Sequence, residues 1–241
     1  MKNLKLAAVC LSCLTMTGCS ALNFSVEGLI NAPKLTSEQS EIHQALIESV
    51  GSNITLKYPK NGEYRSAYVI ANIDDEPTDE AMVFYEYTSN GSEEDGLRVN
   101  ILDKDEDGKW YSVKELAGAG TDIDQVIISP MGSNNQTDVF VGYQNLTNDE
   151  KTMEIYSYTD GDFKRVALDT YSVLEPLDIN NDGYIELITI QRSTNNDTGA
   201  VTAKASMLNM KNNEITRGEN VDMCDNVTSY VSSGVLFLLT D

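Results

Sequence analysis

Histidine occurs once in the 241 residues and basic side chains are few: 17 Lys and Arg stand against 38 Asp and Glu, a formal net charge of −21. That balance excludes electrostatic binding to nucleic acid, because a polyanion needs a basic face to neutralise its phosphates. With one histidine the usual general base is scarce, and no Gly-rich loop runs from a strand into a helix. Aromatic residues make up only 7%, and twelve of them are Tyr against five Phe, which suits strands with one wet face. Cysteine is scarcer still in the body of the chain. Three of the four, Cys10, Cys13 and Cys19, lie close to the N-terminus.

That N-terminus reads as a processing segment. Lys2 and Lys5 precede an apolar run from Leu6 to Leu14, the length of a signal-peptide core and too short to span a bilayer. The run ends in Met16-Thr17-Gly18-Cys19, which resembles the bacterial lipobox, whose Cys receives a diacylglycerol before cleavage. The alternative is a plain secretory signal with an incidental Cys. The expected organisation is a lipoprotein signal peptide over 1–18, a lipid on Cys19 and a tether over 19–35. Removing Lys2 and Lys5 would take the formal charge from −21 to −23. Lipid rather than charge would then hold the protein on the extracytoplasmic face of a bacterial membrane. Cys224 would be left alone, so no intramolecular disulfide can form; it reads as a small buried hydrophobe, with a reactive thiol as the alternative.

Thr36 and Gln39 form a capping box ahead of an apolar stripe at Ile42, Ala45, Leu46 and Val50, which predicts an amphipathic helix within 36–51 closed by Gly51. His43 lies off that stripe and reads as a solvated helix residue. Beyond Gly51 the period becomes strand-like, with short runs rich in Val, Ile, Tyr and Thr between Gly, Asn and Asp clusters. Two landmarks repeat. Turns centred at 108, 161 and 213 are 53 and 52 residues apart, and the acid that opens the strand after a loop recurs at Glu80, Asp138 and Glu186, with the same mean step. A unit of about 53 residues with four antiparallel strands has the size of a β-propeller blade. The fold class expected is therefore mainly β, a propeller-like array over 52–241 that is incomplete or four-bladed, with a β-sandwich as the alternative. About 3.6 units fit. Residues 54–58 could complete a blade with the C-terminal strands near 227–231 and 234–239, or an unpaired edge there could recruit a second chain.

The clearest chemistry lies in Leu177-Asp178-Ile179-Asn180-Asn181-Asp182-Gly183-Tyr184-Ile185-Glu186. Oxygen side chains alternate at Asp178, Asn180 and Asp182, Gly183 permits a sharp turn, Tyr184 can offer a carbonyl and Glu186 closes the set, as a hard cation such as calcium requires. A metal-free connection rich in Asx turns is the other reading. An earlier copy keeps Asn72, Asp74, Glu76 and Glu80 but puts Pro77 where the turn Gly should be, and the middle copy at 129–138 has lost its acids. Asp103 to Gly108 also carries alternating acids, but its place in the repeat makes it a hairpin tip.

The 178 loop resembles the FG-GAP or VCBS repeat loop of integrin-α-type propellers, which binds calcium between neighbouring strands of a blade. Residues 54–67 together with 79–85 look like lipoproteins of Gram-positive, clostridia-like bacteria that carry VCBS-type repeats. The resemblance implies an extracytoplasmic propeller on a lipid tether and implies no particular activity. The function expected is a surface-anchored binding or scaffold module, not an enzyme, with a protein or glycan ligand. The alternative is an extracytoplasmic carbohydrate-active enzyme using a carboxylate pair.

Overall fold

The computed structural model describes residues 35–88, 96–131, 137–145, 150–194, 197–211, 214–223, 227–232 and 235–240. The expected signal segment 1–18, Cys19 with the expected tether up to residue 34, the middle loop's residues 132–136, the turn tip 212–213 and Cys224 lie outside the described residues. The chain divides into two units, Met1–Glu38 and Gln39–Asp241, and the second carries every strand among the described residues.

Helix α1 (Ser37–Val50) begins one residue after Thr36, where an N-cap belongs, and stops at Gly51, which takes φ +85° and donates to the Ile47 carbonyl at 2.9 Å. Its apolar stripe buries Ile42, Ala45 and Leu46. Its other side is not fully solvated: His43 is half-buried and its Nδ1 shares a 2.8 Å hydrogen bond with the Tyr68 hydroxyl, which corrects the reading of this residue as solvent-facing. The helix-face pattern could not foresee that a tyrosine from a strand would reach it.

The first sheet holds β1 (Ile54–Leu56), β2 (Tyr68–Ala71), β3 (Glu80–Tyr87), β4 (Leu97–Lys104) and β5 (Trp110–Ala117), all antiparallel. One edge of β3 is filled by β4. Its other edge is shared end to end by β2, with Tyr68 opposite Val83, and β1, with Ile54 opposite Tyr87. Residues 54–56 are thus paired inside the first sheet, which corrects the idea that they complete a C-terminal blade. The second sheet is the meander β6 (Asp122–Ser129), β7 (Asp138–Gln144), β8 (Lys151–Thr159) and β9 (Asp162–Tyr171). The third is β10 (Val173–Leu177), β11 (Glu186–Thr194), β12 (Val201–Lys211) and β13 (Glu214–Arg217), with the short β14 (Val221–Met223) further along the same edge of β12. Strands β15 (Val227–Ser232) and β16 (Val235–Thr240) pair as a hairpin. The protein is mainly β, and its three larger antiparallel sheets each contain a four-stranded meander in chain order, a fifth strand being added in the first and third; none is closed among the described residues. Three such meanders differ from the two facing sheets of a sandwich.

The sheets pack face to face. Met82, Phe84, Val99 and Ile101 of the first sheet meet Val126, Val139, Val141 and Tyr143 of the second, while Ala81, Val83, Tyr85 and Leu102 turn the opposite way onto α1. The second sheet's other face, with Phe140, Met153 and Tyr171, packs on Leu174, Leu187 and Leu208 of the third. Successive side chains of a strand point to opposite faces, so a sheet covered on both faces needs apolar residues at consecutive positions. β3 and β7 show this: each is buried at six consecutive residues, whereas β5 alternates buried or half-buried with exposed. Each large apolar side chain such as Phe84 contributes roughly 1.5–3 kcal/mol by burial.

The sequence landmarks fall at matching places. The loops at 72–79, 130–137 and 178–185 all join the first meander strand to the second, and the turns at 105–109, 160–161 and 212–213 all join the third to the fourth. Asp160 and Gly161 take φ of 55° and 75°, the signature of a two-residue hairpin turn whose twist matches its strands. At the β4–β5 tip Asp105 Oδ1 accepts from the Asp107 and Lys109 amides at 3.0 and 2.9 Å, the side-chain turn expected of an Asp-Gly hairpin.

Candidate functional site

Between β10 and β11 the chain brings Asp178, Asn180, Asp182 and Glu186 into one loop. Asn181 at φ 59° and Gly183 at φ 89° supply the left-handed backbone that the turn demands. Asp178 accepts from the Asp182 amide at 3.1 Å and the Gly183 amide at 2.9 Å. Asn180 Oδ1 accepts from the Asp182 amide, and Asp182 Oδ1 from the Tyr184 amide, both at 2.9 Å. Tyr184, read from the sequence as a carbonyl donor, enters this network through its N–H. Asn180 Nδ2 donates to Asp182 Oδ2 at 3.0 Å and to Glu186 Oε1 at 3.1 Å. Two carboxylate oxygens therefore converge on one nitrogen, and this hard-oxygen donor set suits calcium chemically. Among the described residues, no group of three His, Cys, Asp or Glu side chains is poised to hold a metal ion.

The acid that opens each second strand has a common task. Glu80 Oε2 accepts from the Ile73 amide at 2.8 Å, Asp138 Oδ2 from the Met131 amide at 3.0 Å and Glu186 Oε2 from the Ile179 amide at 2.9 Å, each acceptor seven residues after its donor. These acids are 2%, 1% and 8% exposed. An amide leaving a sheet ladder must find an acceptor, and here the next strand's first side chain supplies it. The sequence marks the position of these acids. It does not reveal what they hold.

The 72 loop is arranged differently. Asn72 Nδ2 donates to the Glu76 carbonyl and, at 3.1 Å, to that of Thr78, so the amide ties the loop to itself. Asp74 Oδ1 accepts from the Glu76 amide at 2.7 Å. Asp74, Glu76 and Glu80 line a cavity of about 200 Å³ together with Asp103, Tyr111 and Tyr158. Sheet register explains the company: Ala81 pairs with Leu102 and Asp103 with Tyr111, which sets Glu80, Asp103 and Tyr111 in a row across β3, β4 and β5. Burial pushes the Glu80 carboxyl up to about 7, against the Ile73 hydrogen bond, with Asp74 and Asp103 adding to the rise. Asp74 is raised as well, again chiefly by burial. Asp103 and the two tyrosines are the residues that sequence reading missed, because only strand pairing brings them to the loop.

A larger cleft of about 510 Å³ runs between β6 and β10, with Asn61, Tyr64, Asp124, Lys151 and Glu175 among the residues along it. Polar and aromatic groups there face a space large enough for a sugar or a peptide segment. Compared with protein-family models and with curated proteins, the chain matches none.

Proposed function

We propose that the protein is a lipid-anchored, extracytoplasmic binding module whose incomplete propeller-like β-repeat scaffold is steadied by calcium and presents a cleft to a protein or glycan ligand. One observation supports this above the rest: three four-stranded meanders follow one another in chain order, each with the same acid-stapled first loop. Such repetition builds a scaffold, and each of the matched acids holds a backbone amide of its own loop. Titrating glycans into the pure protein tests it: saturable binding without products is expected. Turnover that depends on a particular carboxylate pair would instead mark a carbohydrate-active enzyme.

Calcium would be held by Asp178, Asn180, Asp182 and Glu186 with a carbonyl from Tyr184, neutralising carboxylates that otherwise share one amide. A surface loop of this kind belongs with extracellular modules at a Kd of roughly 0.1 to 1 mM. About 1 mM calcium should then add roughly 0.4 to 1.4 kcal/mol of stability. Scanning calorimetry with calcium or chelator should show this small rise in Tm, and an Asp182→Ala variant should lose it. An equal rise in the variant would remove the site.

The anchor rests on Met16-Thr17-Gly18-Cys19. Wild type should incorporate labelled palmitate and partition into detergent, and Cys19→Ser should do neither. Identical partitioning of the two would defeat the anchored reading.

A further inference from the structure

The cavity that joins the 72 loop to β4, β5 and the β8–β9 hairpin carries more negative charge than its own residues balance. Asp74, Glu76, Glu80 and Asp103 line it, and among the described residues none of the four is ion-paired with Lys or Arg. Lys104, next in sequence to Asp103, turns to the sheet's opposite face, with Nζ 4.4 Å from the centre of the Trp110 ring. Lys114 does reach the cavity, but its ammonium is engaged by Asp162 Oδ1 at 2.6 Å and the Phe163 carbonyl at 2.5 Å. The lysine and Asp162 therefore cancel each other. Carboxylates on neighbouring strands, as at Glu80 and Asp103, repel unless a cation lies between them.

A second observation points to what is wanted. Glu80 is 2% exposed; its Oε2 takes the Ile73 amide, and its Oε1 is buried without a hydrogen-bond partner. A buried carboxylate oxygen without a donor is costly, and among the described residues no donor reaches it. The space is also wrong for a bare ion. About 200 Å³ is several times the roughly 30 Å³ a water occupies, so it has room for a ligand larger than an ion. Tyr111, Val113, Tyr158 and Phe163 add aromatic and aliphatic surface to the same walls. Carboxylates plus apolar wall match a cation that carries a carbon stem and several N–H donors.

We propose that this cavity receives a primary alkylammonium group, with Glu80 and Asp103 as its acceptors and Tyr111 and Tyr158 beside its stem. The inference rests on the reading of the chain as a binding module and names one ligand chemistry for it. The group could come from a small free amine or from a lysine side chain of a partner, and the two are separable.

The test is titration calorimetry on the full chain in detergent, with cadaverine, Nα-acetyl-lysine amide, 1-pentanol and calcium chloride as separate probes. Saturable binding of at least one amine is expected, with none from the neutral alcohol. Tighter binding of cadaverine assigns the cavity to a free amine, and tighter binding of the lysine amide to a partner's side chain. Glu80→Gln and Asp103→Asn should each weaken amine binding about tenfold or more, as expected for loss of a charge-assisted contact. Asp103→Asn keeps the test open if the buried Glu80 variant fails to fold, and an unchanged melt shows that the variant is native. No saturable heat from either amine, equal affinity in folded Asp103→Asn, or calcium binding that this variant alone abolishes would overturn the proposal. Glycan or protein binding without amine binding would sink this assignment and leave the module reading standing. Glycan turnover would sink that reading and not this one.

Discussion

Replacing Asp124 by alanine should cost about 3–5 kcal/mol, because removing one member of a buried charged network strands the others. Asp124 is 2% exposed on β6. Its Oδ1 accepts from Lys151 Nζ and Asn61 Nδ2, both at 2.8 Å, and its Oδ2 accepts from the Tyr171 hydroxyl at 2.7 Å. One carboxylate thus ties the segment after β1 to the first, third and fourth strands of the second sheet. Tyr171 is fully buried, and burial together with the Asp124 charge holds its hydroxyl far above the usual phenol range. It has no room to find another acceptor: a Cβ on Gly142 would lie 2.1 Å from its hydroxyl oxygen. The alanine variant leaves an ammonium, a phenol and an amide without their acceptor, and Tm should fall by roughly 10 °C. Asp124→Asn keeps the shape and loses the charge, so about 1–3 kcal/mol is expected of it. Urea unfolding of both variants checks this. A loss in Asp124→Ala no larger than in Asp124→Asn would show that the network contributes through charge alone.

The second large effect has the opposite sign. Glu80→Gln should be more stable than wild type at about pH 8 and close to it at about pH 4. Burial, with Asp74 and Asp103 nearby, raises the Glu80 carboxyl from 4.5 to about 7. The native state therefore holds a proton that the unfolded chain has already released. That proton's contribution is complete below about pH 4.5 and is lost as pH rises through about 7, which at about 1.4 kcal/mol per tenfold comes to about 3 kcal/mol. Glutamine does not titrate, and its carbonyl can keep the Ile73 amide. Denaturant unfolding across that pH range, with chelator present and amines absent, should show the two stabilities diverging above pH 5. Parallel curves would mean that Glu80 titrates in the native protein as it does in the unfolded chain.

Much of the fold is legible in the sequence where the signal is local. Helix α1 follows from its cap, its stripe and Gly51, and the turns at 105–109 and 160–161 follow from Asp and Gly at positions that need left-handed backbone. What stays hidden is non-local. Nothing in Ile54-Thr55-Leu56 states that it continues the edge already occupied by β2, since a three-residue strand carries too little pattern to choose a partner. β14 escapes for the same reason, at Val221–Met223. The candidate loop at 178 is legible because its donors are sequential. The acidic cavity is not, because Asp103 lies 23 residues beyond Glu80 and reaches it only through the register of β3 with β4. Within the sequence Asp103 reads as the start of a hairpin tip, and that reading is right for Asp105 to Gly108.

The seven-residue staple also says where this chain can change length. Successive opening acids stand 58 and 48 residues apart, yet the interval from stapled amide to acid is seven in every copy. Every residue gained or lost between copies has therefore been absorbed outside that interval. An added residue within it would move the acid off its amide and swap the inward and outward sides of the strand that follows. A residue added at an exposed hairpin tip away from the acidic cavity, such as Glu106-Asp107, meets only solvent. Affinity tags, fluorophore sites or grafted peptides belong at those tips, and the stapled loops are the fixed rulers against which the rest of the repeat is measured.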